Sequence, residues 1–114
     1  MSSAAVGTRI DHAKQALRDA DAVCFDVDST VINVEGIDEL AAYLGCGEAV
    51  AKLTASAMGG SKPFHEALEE RLAVMEPSLQ KVDAMMADHP MEQVLTPGVS
   101  ELIAALQQRE AELR

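Results

Sequence analysis

The chain is poor in aromatic side chains and in positive charge. Its 114 residues include no tryptophan, one tyrosine and two phenylalanines, 3% aromatics in all. Its apolar content is mostly Ala, Leu, Val and Met, a mix that favours helices. Nine Lys and Arg stand against 19 Asp and Glu, a formal net charge of -10. A surface this acidic argues against nucleic acid and anionic membrane as partners. It does nothing to attract an anionic substrate either, so a phosphate-bearing ligand needs local cations and a metal ion. Cysteine is scarce: Cys24 and Cys46 match no zinc or redox spacing. They are expected to be reduced structural thiols, with Cys24 buried, which suits a reducing compartment. No apolar run approaches the roughly 20 residues that cross a bilayer as a helix. The first ten residues lack the basic-then-apolar pattern of a secretory signal. A soluble cytoplasmic protein is the default expectation, with organellar targeting left open.

What is present is enough apolar material, 48% of residues, to build a core. The length fits one ordinary domain or a piece of a larger one. Helical spacing of apolar residues recurs along most of the chain. Ile10, Ala13 and Leu17 predict a helix over 8–19, and Ile37, Leu40, Ala41 and Leu44 a second one, ended by Gly45 and Gly47. Val50, Leu53, Thr54 and Ala57 mark a third, closed by Gly59-Gly60. Pro63 suits the first turn of a fourth, whose face carries Phe64, Ala67, Leu68, Arg71, Leu72 and Met75. Pro77-Ser78 starts a fifth that His89-Pro90 stops. Residues 91–97 read as a linker, and a last helix starts near Gly98 and runs to Arg114.

The exception to this helical pattern is the run Ala22-Val23-Cys24-Phe25-Asp26-Val27. It reads as a short, fully buried β-strand. Asp26 and Asp28, two residues apart, follow at its carboxyl end. In an open parallel sheet, ligands bind at that edge. Two acids there could hold a hard cation and attack an electrophile. The structural alternatives are a capping acid at a strand-to-loop turn for Asp26 and an Asx-turn for Asp28. Residues 28–35 then form a polar loop with Ser29, Thr30 and Asn33.

One strand among some six helices is an odd inventory. A lone buried strand cannot pair its own backbone groups. It asks for parallel neighbours reached through helical crossovers. The expectation is therefore the front part of a larger α/β protein. Residues 1–34 would begin the core, 35–90 would form a helical cap inserted after the first strand, and 91–114 would return to the core.

Cys24-Phe25-Asp26-Val27-Asp28-Ser29-Thr30, followed by Glu35-Gly36-Ile37-Asp38-Glu39-Leu40, resembles the phosphoserine phosphatase family of the haloacid dehalogenase superfamily. The likeness continues through Ala57-Met58-Gly59-Gly60, Pro63-Phe64, Ala67-Leu68, Arg71-Leu72, Pro77-Ser78 and Leu95-Thr96-Pro97-Gly98. The aspartate motif alone points to the superfamily; the later segments narrow it to the family. The resemblance implies an α/β, Rossmann-like core with a four-helix-type cap. It implies hydrolysis of O-phospho-L-serine to L-serine and phosphate, the last step of serine biosynthesis, with Mg2+ and a phospho-aspartyl intermediate.

Carried onto this sequence, the resemblance makes Asp26 the nucleophile and Asp28 the general acid and then base. Magnesium would be held by Asp26 and by the backbone carbonyl of Asp28. Glu35 would contact the substrate ammonium, Arg71 its carboxylate, and Met58 and Gly59 would line the pocket with Phe64 closing over it. Structural alternatives stand beside each role. Glu35 could be a first-turn acid complementing a helix dipole. Arg71 could snorkel or pair with a cap acid such as Glu35. Met58 could be core, and Gly59-Gly60 a simple helix end. Thr30 fits a part in orienting the loop by hydrogen bonds. His12, His65 and His89 have no partner spacing for metal or catalysis and read as surface residues.

The family also needs a phosphate-binding serine, a lysine and a further aspartate loop downstream, and none is present in this sequence. This chain alone is expected to have negligible phosphatase activity. Two other functions stay in view: a non-catalytic interaction module or truncated isoform, and another phosphatase or phosphotransferase of the superfamily. Small-molecule phosphoserine is the expected partner. An exposed strand edge would invite association, a homodimer being the simplest form.

Overall fold

The computed structural model describes residues 3–113, which form six α-helices. They are α1 (Ser3–Asp19), α2 (Gly36–Tyr43), α3 (Gly47–Ala57), α4 (Phe64–Met75), α5 (Leu79–Asp88) and α6 (Val99–Glu112). A short 3-10 turn, Met91–Val94, precedes α6. The expected extension of the last helix to Arg114 lies outside the described residues. The helices stand near the expected positions, except that α1 begins at Ser3 and not near residue 8, and the stops follow local chemistry. Gly45 takes φ 80° after α2, a left-handed conformation open to glycine at little cost. Ser78 caps α5, its side chain accepting from the Lys81 amide at 3.2 Å.

Packing is concentrated in the middle of the chain. Helix α3 lies against α2 and α4, and α2 touches α5. Their core is Ala41, Val50 and Met75, with Ile37, Leu40, Leu44 and Cys46 packed around it. Val50 and Ala41 are fully buried. Small side chains at these positions let the helices approach closely. A phenolic hydrogen bond ties the far side: Tyr43 donates to Asp88 at 2.7 Å, and the His89 ring stands edge-on to Tyr43.

Outside that module the chain is open. The radius of gyration is 18.5 Å, against about 13 Å for a compact domain of this length. Helix α1 buries no residue and α6 none. A side chain of α6 reaches across to α1. The Arg109 guanidinium, on α6, donates to the carbonyls of Leu17, Arg18 and Ala20. It thereby caps the carboxyl end of α1, where a cation also meets the negative end of the helix dipole.

The expected strand 22–27 is not formed. Among the described residues no β-strand is present, and residues 21–30 are all exposed. Cys24, expected to be buried, is exposed with Val23, Phe25 and Val27. The physical reason is that a strand is defined by its neighbours. No described segment lies alongside 22–27 to take its backbone hydrogen bonds. Ala22, Val23 and Phe25 instead line an open hollow of about 680 Å³ with Ile103 and Leu106 of α6 and Leu113 just after it. The sheet-like pairing that does occur is a single antiparallel bridge, Ile32 with Leu95.

The Tyr43–Asp88 bond has a measurable consequence. Accepting the phenol proton, Asp88 holds the Tyr43 pKa above its ordinary 10.0, with desolvation adding to the shift. A raised folded-state pKa means that this tie contributes stability below about pH 10 and loses it as pH climbs through the tyrosine titration. Ultraviolet difference absorbance reads this cleanly, since the chain has one tyrosine and no tryptophan. Asp88→Ala is expected to bring the titration down towards 10; an unmoved midpoint would rule the tie out in solution.

Candidate active site

The chain reverses direction within the ten residues after Phe25. Asp26 is still extended (φ −72°, ψ 145°). Val27–Val31 then forms one wide turn, closed by the Ile32 amide donating to the Val27 carbonyl at 3.1 Å. Two residues inside it are not helical: Asp28 (φ −63°, ψ 131°) and Ser29 (φ 56°, ψ 17°). A left-handed serine costs roughly 1–2 kcal/mol, so its surroundings must hold it there.

They do so by hydrogen bonds. The Ser29 amide donates to the Val34 carbonyl at 3.1 Å, and its hydroxyl to Glu35 Oε1 at 2.6 Å. The Gly36 amide, at the start of α2, donates to Asp28 Oδ1 at 3.0 Å. Thr30 donates its hydroxyl to Asp26 Oδ2 at 3.3 Å, the kind of loop-orienting bond expected of it. Asp26, Asp28 and Glu35 thus belong to one bonded group.

A second segment fixes this loop from outside. The Thr96 hydroxyl donates to the Thr30 carbonyl at 2.6 Å, and its amide to Val31 at 2.9 Å. The Asn33 amide donates to the Val94 carbonyl at 2.8 Å. Ile32, between these bonds, is the one buried residue of the loop. Sequence reasoning gave Thr96 no role. The signal it offered was a Thr-Pro-Gly turn, whose Gly98 takes φ 88° to start α6.

The other sequence-predicted residues form a separate group in the helical module. Met58, Phe64 and Arg71 line a hollow of about 290 Å³ with Thr54, Lys62 and Ala67. Met58 and Phe64 are among the most exposed apolar residues of the chain, at 84% and 74%. They are therefore not core. Gly59 is not among the lining residues. Arg71 does not pair with Glu35; its Nε donates to the Ala67 carbonyl at 3.1 Å. The rest of its fork has no protein partner among the described residues. Lys62, a second cation at this hollow, is neutralised by Glu70 at 2.6 Å. His12, His65 and His89 are exposed, as expected.

No cluster of three or more His, Cys, Asp or Glu suited to a metal occurs among the described residues. No described helix is long and apolar enough to cross a membrane. The first group can supply carboxylate oxygens to an electrophile or a cation; the second can supply one unpaired guanidinium to an anion in an otherwise acidic molecule.

Carboxylates presented on a loop are able, as a class, to act as nucleophiles or as ligands for a hard cation. Comparison with known proteins narrows this. The chain is 53% identical over 94 residues to the phosphoserine phosphatase of Bos taurus, a match covering 82% of this chain and 41% of that protein. It is equally similar, over the same length, to the phosphoserine phosphatase of Homo sapiens. It is 55% identical over 89 residues to the chloroplastic phosphoserine phosphatase of Arabidopsis thaliana, covering 78% of this chain and 30% of that protein. The chain is thus homologous to phosphoserine phosphatases and spans about two fifths of the mammalian proteins' length, consistent with their N-terminal portion. No family model matches it.

Gly36 gives a direct test of the loop. A Cβ at this position would sit 3.2 Å from Asp28 Oδ1, closer than a carboxylate tolerates without moving. The Gly36→Ala substitution is therefore expected to loosen the Asp28 bond while leaving α2 intact, because alanine is the better helix former. Hydrogen exchange at this amide should speed up with no loss of helical circular dichroism. Unchanged exchange would contradict the geometry.

Proposed function

We propose that this chain carries the nucleophile and the substrate-amine contacts of a magnesium-dependent phosphoserine phosphatase. The observation that carries this reading is the 53% identity to phosphoserine phosphatases across the segment that contains Asp26, Asp28, Glu35 and Arg71. The bonding of the first three into one loop supports it.

An Asp26 carboxylate oxygen attacks phosphorus, and the phosphorus–oxygen bond to serine breaks. Asp28 gives its proton to the departing serine oxygen. A water molecule then attacks the acyl phosphate, Asp28 takes that water's proton, and inorganic phosphate leaves with Asp26 restored. One carboxyl serves both steps because each begins in the protonation state that the other leaves. The donor set suits magnesium. Asp26 Oδ2 is engaged by Thr30 alone, which leaves Oδ1 available, and the Asp28 backbone carbonyl is a second hard oxygen; this cation keeps several waters of its own. Bound there, it would supply positive charge against the phosphate. Glu35 takes the substrate ammonium and Arg71 its carboxylate, in two parallel hydrogen bonds. Met58, Gly59 and Phe64 complete the pocket once the module lies against the core.

That core is Rossmann-like in this reading, and residues 22–27 are its first strand. Their exposure, and the lack of backbone partners at 22–26 among the described residues, support the idea that further strands belong beside them. Phosphate-binding and lysine groups would come from the same further strands, because phosphoryl transfer rests mainly on positioning and charge stabilisation. The reaction would close serine biosynthesis, in the cytoplasm or in an organelle.

The test is turnover of phosphoserine by the full-length gene product. It is expected to be active, to lose about a thousandfold or more on Asp26→Asn, and to lose its preference for phosphoserine on Arg71→Ala. The isolated 114-residue chain should show negligible turnover. Indifference to Arg71→Ala would favour another substrate of the superfamily. An inactive full-length product would favour an interaction module, which the exposed apolar run would also serve.

A further inference from the structure

We propose that Ser29 is a specificity-determining positioning residue: its hydroxyl fixes the Glu35 carboxylate in the orientation that receives a primary ammonium. The inference rests on the reading of Glu35 as the amine contact. No role for Ser29 follows from its place in the sequence; it lies between the acid–base residue and Thr30 and looks like an ordinary polar loop residue.

The geometry argues otherwise. Ser29 is one of two non-glycine residues with positive φ among those described. That conformation turns its hydroxyl onto Glu35 Oε1 at 2.6 Å, the short distance of a hydrogen bond to a charged acceptor. The neighbouring bonds, Ser29 amide to Val34 and Gly36 amide to Asp28, lock both ends of the same ring. Glu35 itself is exposed, so an unsupported carboxylate there would sample several rotamers at little cost. An ionised carboxylate offers about four acceptor sites on two oxygens. Ser29 occupies one of these on Oε1, and Oε2 has no protein partner among the described residues. The carboxylate is thus held by one oxygen and open at the other, the arrangement that an ammonium group needs.

A hydroxyl that acts in this way affects recognition of the amine and not the phosphoryl chemistry. The experiment compares phosphoserine with its desamino analogue, the phosphate ester of 3-hydroxypropionate, in the full-length protein. Ser29→Ala is expected to raise KM for phosphoserine about tenfold with kcat little changed, and to leave kcat/KM for the desamino ester as it was. Ser29→Gly accepts the left-handed backbone without strain but has no hydroxyl, and it should behave as Ser29→Ala does. Wild-type preference in Ser29→Gly would show that the backbone alone matters and would overturn the proposal. So would an equal loss on both esters in Ser29→Gly. A wild-type protein that turns over neither ester would instead defeat the proposed function, and the two failures are thereby told apart.

Discussion

The hydrogen bond from the Gly36 amide to the Asp28 carboxylate joins the two halves of this molecule. On one side lies a loop that must turn sharply while presenting acids; on the other lies the first turn of a helix whose leading amides have no intrahelical acceptors. Asp28 satisfies one of those amides. The helical module thereby inherits its starting direction from an acid of the candidate site. Loop shape, module placement and carboxylate orientation are in this way one constraint. The left-handed Ser29, the Ser29–Glu35 bond and the clamp by Thr96 all serve to hold it.

The helical module was legible in the sequence because its physics is local. Ile37, Leu40, Ala41 and Leu44 repeat with the helical period, and three of the four face the buried cluster from its edge while Ala41 enters it. Glycine and proline punctuation marked the ends, since each acts through its own backbone dihedrals. The strand expected over 22–27 is not formed among the described residues, for the opposite reason. Its apolar run correctly signals a segment that wants burial, but burial and pairing depend on residues from elsewhere. Cys24 and Phe25 are exposed because nothing described here covers them.

The candidate site was legible in part. Asp26 and Asp28 stood out because two acids at the end of an apolar run could hold a cation and attack an electrophile. Ser29, Thr96 and Arg109 did not, because their contacts depend on where the chain returns. Arg109 holds the carbonyls that close α1, some ninety residues earlier. Thr96 reaches the carbonyl of Thr30 across 66 residues of sequence. Composition and period carry no information about such bonds. The Thr96 bond stands beside the antiparallel contact of Ile32 with Leu95, which is itself a tertiary event.

The most direct test of the account is chemical trapping on the nucleophile. The full-length protein would be mixed with phosphoserine carrying a labelled phosphate, quenched in acid, and digested for peptide mapping. The account predicts a hydroxylamine-labile acyl phosphate on the peptide that contains Asp26, absent from Asp26→Asn. Steady hydrolysis of phosphoserine with no label on that peptide, or undiminished hydrolysis by Asp26→Asn, would contradict it.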